Sequence, residues 1–334
     1  MSDSAAPTKS ASSRWQDLDM RAAAPFAALA VLMVLGYLVN PVFLTVDNMA
    51  NVLARCSFVA VIAIGATFVI TAGGLDLSVG SMLALISGVM ILFFNGGYFQ
   101  DTYALLTAGI AVALILGIVC GAANGLGVTV GGIEPFIGTL GTMTIFRSLQ
   151  TWLAGGGTIS MRAPELSSTY APVYAGKLFG IPFPVIVVAA VALIGAFVLY
   201  RTTFGRHVMA VGSNEDVARY SGISVNRVRM LTYIIQGICV AIAVAIYVPR
   251  LRSSTATTGI TYELQAITAV VVGGTALRGG VGRIWGSICG AVILETIGNI
   301  MLLSNLIDEK LIGVVQGAII ILAMLVQRSL SRKS

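Results

Sequence analysis

One carboxylate stands alone in an apolar stretch. Asp76 is the only charged side chain between Arg55 and Asp101. It sits in Gly73-Gly74-Leu75-Asp76-Leu77-Ser78-Val79-Gly80-Ser81, which interrupts a long hydrophobic run with three glycines and two serines. Backbone that leaves helical geometry at membrane depth must lie inside protein or beside a water-filled cavity, because lipid offers no hydrogen bonds. A carboxylate there is costly, and it pairs with a partner or marks a pathway. Two readings stay open. Asp76, Ser78 and Ser81 line a polar path, or the stretch is a short cytoplasmic turn in which Asp76 caps the helix beginning near Ser78. Asn124 and Gln236 are polar groups inside other apolar segments. They extend such a path or serve as hydrogen-bonding glue between helices.

Other chemistry is missing. His207 is the only histidine, which excludes a histidine-based triad and a multi-histidine metal site. The four lysines, Lys9, Lys177, Lys310 and Lys333, fall in no Gly-x-x-x-x-Gly-Lys-Ser/Thr phosphate loop. The four cysteines, Cys56, Cys120, Cys239 and Cys289, are scattered through apolar segments without metal-ligand spacing. We expect no catalytic residues, no metal and no cofactor on this chain.

The elements that must hold these residues follow from composition. Of the 334 residues, 57% are hydrophobic and 10% charged, against about 25% charged in a soluble domain. Apolar stretches of about 20 residues recur along the chain, each long enough to cross a bilayer as a helix. The fold class is therefore all-α: a polytopic helical membrane protein of about ten segments, within a range of eight to ten, including broken or re-entrant helices. The segments run over 22–39, 52–72, 78–94, 103–126, 135–153, 182–200, 230–248, 264–276, 284–303 and 311–326. The eighth is too short for a comfortable crossing. Residues 1–21 form a disordered cytoplasmic tail, 22–327 the transmembrane domain and 328–334 a basic cytoplasmic tail. Loops on the side of the termini carry thirteen Lys or Arg against five on the other side, so both termini are expected in the cytoplasm. The formal charge of +6 is spread over short loops, which argues for orientation in lipid and not for nucleic acid.

Two more stretches stand out. Ala266–Gly286 ends an apolar run in Val272-Gly273-Gly274-Thr275 and continues through further glycines, much as Ala63–Leu83 does. Paired glycine-interrupted segments point to a transporter's pathway, which adds Gly273 and Gly274 to the candidates. The loop 201–229 contains a short helix signal: Ser213 or Asn214 as N-cap, Glu215 and Asp216 in the first turn, Gly222 as the stop. Two turns of helix are unstable alone in water. Val217, Ala218 and Tyr220 give it a small apolar side, and Arg219 adds charge. It is a connector on the membrane surface or a coupling helix docking on a cytoplasmic motor.

Taken together, Gly73–Ser81, Pro135-Phe136-Ile137-Gly138-Thr139-Leu140-Gly141, Phe204-Gly205-Arg206, Val211-Gly212-Ser213-Asn214, Ser221-Gly222-Ile223 and the run from Tyr262 through Gly280 resemble motifs of permease subunits of bacterial ribose-type sugar ABC importers. The resemblance covers roughly 48–327 in the family's order. It implies a multi-pass protein of the bacterial inner membrane, paired with a second permease copy, identical or paralogous. It also implies a periplasmic sugar-binding protein and a cytoplasmic ATP-binding subunit carrying ATP and magnesium, contacted by this chain through 212–222. Arg278 stands where such permeases commonly carry a smaller polar residue. A sugar path needs hydrogen-bonding groups with aromatic faces nearby, for which Asn299, Glu295, Trp152 and Trp285 are further candidates. On physical grounds alone, a secondary transporter driven by an ion gradient fits the broken helices too.

Overall fold

The computed structural model of the chain describes residues 11–304 together with 311, 313, 314, 317 and 318, with side chains described from Ala23 onward. The first helix, α1 (Ala11–Val39), ends where Asn40 accepts a hydrogen bond from the Val42 backbone and Pro41 opens a 3-10 turn. Its start differs from expectation: residues 11–21, read as disordered, are helical. Then follow α2 (Val46–Thr71), α3 (Val79–Asn95), α4 (Thr102–Thr129) and α5 (Pro135–Leu153). Proline at the first position of α5 loses no helical hydrogen bond.

Beyond α5 the chain folds more regularly than a plain loop. Strand β1 (Thr158–Ser160), two short helices, α6 (Pro164–Tyr170) and α7 (Pro172–Ala175), and the hairpin β2 (Lys177–Leu178) and β3 (Ile181–Pro182) lead into α8 (Phe183–Arg201). The segment 201–229 holds two helices, not one: α9 (Thr203–Ser213) and α10 (Glu215–Tyr220), before α11 (Val225–Leu251). Strand β4 (Ser253–Thr255) pairs antiparallel with β1. The described fold closes with α12 (Tyr262–Val272) and α13 (Ile284–Ser304). Helix α12 has 11 residues, about 16 Å of helix, roughly half a hydrocarbon core.

Among the described residues, five helices, α2, α4, α8, α11 and α13, are long and apolar enough to cross a membrane, and 79–95, 262–272 and the 23–39 part of α1 are shorter apolar helices. The expected segment 311–326 and the tail 328–334 lie outside the described residues, apart from the few positions named above. Helix α2 is the hub: 89% of its most apolar window is buried inside the chain, packed against α8, α11, α12 and α13. By contrast α8, the most apolar of the five, buries only 28% of its window, leaving Leu193, Ile194 and Phe197 facing outward.

The close pair is α4 with α11. Gly117, Gly121 and Gly125 repeat every four residues along one face of α4. A Cβ on Gly117 would overlap the Gly237 carbonyl, and one on Gly121 the Tyr233 carbonyl. Small residues at this spacing let two backbones touch, which is how membrane helices gain van der Waals contact without a hydrophobic driving force. Helices α2 and α13 are instead joined by polar rungs. Asn48 and Asn299 exchange amide hydrogen bonds of 2.9 and 3.0 Å, Arg55 Nε lies 2.8 Å from Glu295 Oε1, and the Thr67 and Ser287 hydroxyls meet at 2.8 Å.

Candidate functional site

Helix α2 ends by accounting for its last carbonyls. Gly73 takes φ +80°, a left-handed value that glycine adopts without a Cβ penalty. The Gly74 N–H then reaches Val69 O and the Gly73 N–H reaches Ile70 O, both at 2.9 Å, while Ala72 N–H takes Phe68 O. This pairing is a Schellman stop. Thr71 O remains, and it accepts from Gly280 N at 2.9 Å. The end of α2 is thus capped by a residue from the break between α12 and α13.

That second break repeats the first. Gly274 has φ +85°, Thr275 N donates to Val270 O and Gly274 N to Val271 O. Thr275 Oγ1 accepts from Arg283 N, and the Tyr200 hydroxyl accepts from Ile284 N at 2.9 Å, so the restart of the helix is tied to α8. Gly273 packs against Gly286 so closely that a Cβ there would overlap its backbone. The likeness between the two stretches seen in sequence is real at the level of the helix stop, with Gly73 and Gly274 as counterparts.

After the first stop the chain runs non-helically from Gly74 to Ser78 and turns over Asp76. The Asp76 Oδ1 accepts from Ser78 N at 2.9 Å and from Ser78 Oγ at 2.6 Å. Asn124 Nδ2, from α4, lies 3.2 Å from both carboxylate oxygens and 2.8 Å from Ser78 Oγ. Asp76 is 6% exposed and Ser78, Ser81 and Asn124 are buried. Ser81 donates to Ser78 O. These contacts favour the turn that leads into α3. Asp76 supports the entry to that helix, and it is a carboxylate buried among neutral donors, with no ion pair among the described residues. Tyr233 of α11, itself buried, donates its hydroxyl to Leu75 O at 3.1 Å.

The segment 203–220 lies against these breaks. Thr202 caps α9 through Gly205 N, and Asn214 caps α10 through Val217 N. Val208 and Val211 bury the inner face of α9. Gly212 then meets Thr71 and Gly280 at once: a Cβ on it would overlap Thr71 O and come within 2.6 Å of Gly280 N. Gly280 in turn faces Ser213. On α10, Glu215 pairs with Arg219 and with Arg229 of α11, each at 2.7 Å. Ala218 is buried, Asp216 and Gly222 are exposed, and Val217 and Tyr220 are presented outward at 60% and 92% exposure.

The remaining candidates do not join this group. Gln236 lies on α11 against α2, its amide donating to Ile62 O at 3.4 Å. Trp152 and Trp285 are 75% and 46% exposed. Asn299 and Glu295 bond to α2, which is the interhelical role their residue types also allowed. Arg147 of α5 donates to the Ala256 and Thr258 carbonyls and so braces the turn between β4 and α12. Sequence reasoning missed Tyr233, Asn48 and helix α9. Tyr233 carries no local signal, since its partner is 158 positions away.

Residues 48–324 match a family described as the permease component of branched-chain amino acid transport systems. The chain is 36% identical to the ribose import permease RbsC of Haemophilus influenzae over 85% of each chain. Against RbsC of Bacillus subtilis it is 38% identical over 93% of this chain and 94% of that one. Against the xylose transport system permease XylH of Escherichia coli it is 29% identical over 99% and 97%.

Proposed function

This chain belongs to the family of branched-chain amino acid transport system permease components, and from that premise we propose that it is the permease of an ATP-driven importer for a sugar or similar small hydroxylated solute. The ribose and xylose permeases among its relatives support that substrate class. A separate cytoplasmic ATPase binds ATP and magnesium and supplies the energy. A periplasmic sugar-binding protein delivers the solute, and a second permease copy, identical or paralogous, completes the path across the bacterial inner membrane. About ten segments cross or enter the lipid, with both termini in the cytoplasm; the distribution of Lys and Arg over the loops supports this orientation. Asp76, Ser78, Ser81, Asn124, Gln236, Gly273, Gly274 and Trp285 are the candidate lining of the path.

The observation that carries the proposal is the seat of Gly212. The segment 212–222 ends in an exposed helix with Val217 and Tyr220 outward, while its inner end, Gly212, touches both glycine breaks. A partner that pulls on α10 moves the backbone at Thr71 and Gly280. Purification from native membranes in mild detergent, with mass spectrometry of what accompanies the chain, tests this. We expect an ATPase with a phosphate-loop motif. It should be lost when Val217 and Tyr220 are both changed to Asp, with the chain still inserted at normal yield. Recovery of the chain without such an ATPase would overturn the proposal.

The rival is a secondary transporter that titrates buried carboxylates. Glu295 discriminates here. Its pair with Arg55 joins α2 to α13, a link that glutamine keeps in part as a hydrogen bond. Glu295→Gln should therefore leave ATP-driven uptake within about fivefold of wild type. Complete loss of uptake with normal insertion would favour the ion-coupled mechanism.

A further inference from the structure

We infer that Glu215, Arg229 and Tyr233 are positioning residues that tie helix α10 to the broken segment holding Asp76. The proposal rests on the importer reading for its purpose, though not for its geometry.

Glu215 divides its two oxygens. Oε1 takes Arg219 within α10, and Oε2 takes Arg229 Nη2 on α11 at 2.7 Å. The split makes Glu215 the ionic link between the docking helix and the long helix behind it. Arg229 and Tyr233 are four residues apart on α11, hence on one face and one turn from each other. Tyr233 continues the line inward. Its ring packs with Val69 of α2 and Val128 of α4, and its hydroxyl donates to Leu75 O, the residue before Asp76. Gly74 lies directly under that hydroxyl: a Cβ there would stand 3.0 Å from the oxygen. Asp76 is then held by Ser78 and by Asn124 of α4.

The chemistry of the links suits transmission. Gly74 offers no side chain to pack at this point, so the tyrosine hydroxyl and one carbonyl carry the contact. Glu215 and Arg229 are only partly exposed, at 34% and 23% of their side chains, so their pair is screened less than one on an open surface. Rotation of α10 about its seat moves Arg229, and α11 carries that motion one turn inward to the carbonyl of Leu75. A demonstrated coupling between the ends, and not spatial continuity alone, is what establishes such a relay.

The test uses two conservative variants and their combination. Glu215→Gln keeps shape and a hydrogen-bonding group but removes the charge. Tyr233→Phe keeps the ring and removes only the hydroxyl. In the intact assembly solute-stimulated hydrolysis should fall in both variants, and in Tyr233→Phe, which lies on α11 outside the ATPase-contacting segment, basal hydrolysis stays. Amide hydrogen exchange of 73–78 in the purified chain is the second readout. Tyr233→Phe should accelerate it about fivefold, the effect of one lost buried hydrogen bond. Glu215→Gln, on the neighbouring helix, should accelerate it as well, and the double variant should accelerate it by less than the product of the two single effects. Unchanged exchange in Glu215→Gln, or multiplicative effects, would overturn the relay. If the wild-type chain recovers no ATPase, the importer reading fails, and the exchange data still decide the relay.

Discussion

Changing Gly212 to Val should abolish import in a protein that still reaches the membrane. The position has no room. Any Cβ there falls on the Thr71 carbonyl and against Gly280 N, the two atoms whose hydrogen bond closes the end of α2. Neither is a side-chain tip that can rotate aside. Overpacking of a filled interior typically costs about 1–3 kcal/mol and more where backbone must move. The valine must push α9 off both glycine breaks or break the Gly280–Thr71 bond. Uptake should fall at least about tenfold, since about 1.4 kcal/mol is already a factor of ten. Gly127, whose added Cβ would meet nothing within 4 Å, is the control: Gly127→Ala should transport normally. Wild-type uptake by Gly212→Val would show that α9 does not bear on the breaks as described.

The second large effect concerns the Asp76 cluster. Asn124→Leu removes the only side-chain donor that α4 gives to the carboxylate and leaves the Ser78 hydroxyl short of a partner. Hydrogen bonds to charged groups contribute about 1.5–3 kcal/mol, and Asp76 is too buried for water to replace the loss. The thermal midpoint in detergent should drop by several degrees. Adding Asp76→Asn to this variant should recover part of the loss, because the unpaired charge is then gone. The non-additivity, measured as a double-mutant cycle, separates a charge effect from simple loss of packing. Additive losses would mean that Asn124 serves only as filler between α3 and α4.

How much of this was readable from sequence divides along range of interaction. The bilayer demands long apolar runs, so the helices were legible, and α5 ends where its proline and its glycine run place it, at Pro135 and Leu153. The helix stop at Gly73 was legible as well, because a left-handed residue after an apolar run is a local need, whereas the expected segment 264–276 overran the stop that ends α12 at Val272. Asn214 as N-cap and Glu215 with Asp216 in the first turn followed the same local logic. Helix α9 was not seen. Thr203, Gly205, Gly212 and Ser213 are poor helix formers, and what holds α9 is burial of Val208 and Val211 against the rest of the chain. The partners of Asp76, Thr71 and Leu75 lie 48, 209 and 158 positions away, and no local pattern announces them. Glu295 shows the other side of this: its residue type allowed either a path or a link between helices, and only its neighbour Arg55 on α2, 240 positions earlier, gives it the second.

The most direct test of the central claim is solute uptake into vesicles reconstituted with this chain and the proteins that accompany it from native membranes. Radiolabelled ribose and xylose, each presented with its binding protein, are the probes. Uptake should require ATP on the cytoplasmic side, should persist when ionophores collapse proton and sodium gradients, and should vanish in the Val217→Asp, Tyr220→Asp double variant. Uptake by the chain alone, without ATP and abolished by an ionophore, would contradict the account and make this permease an ion-coupled carrier.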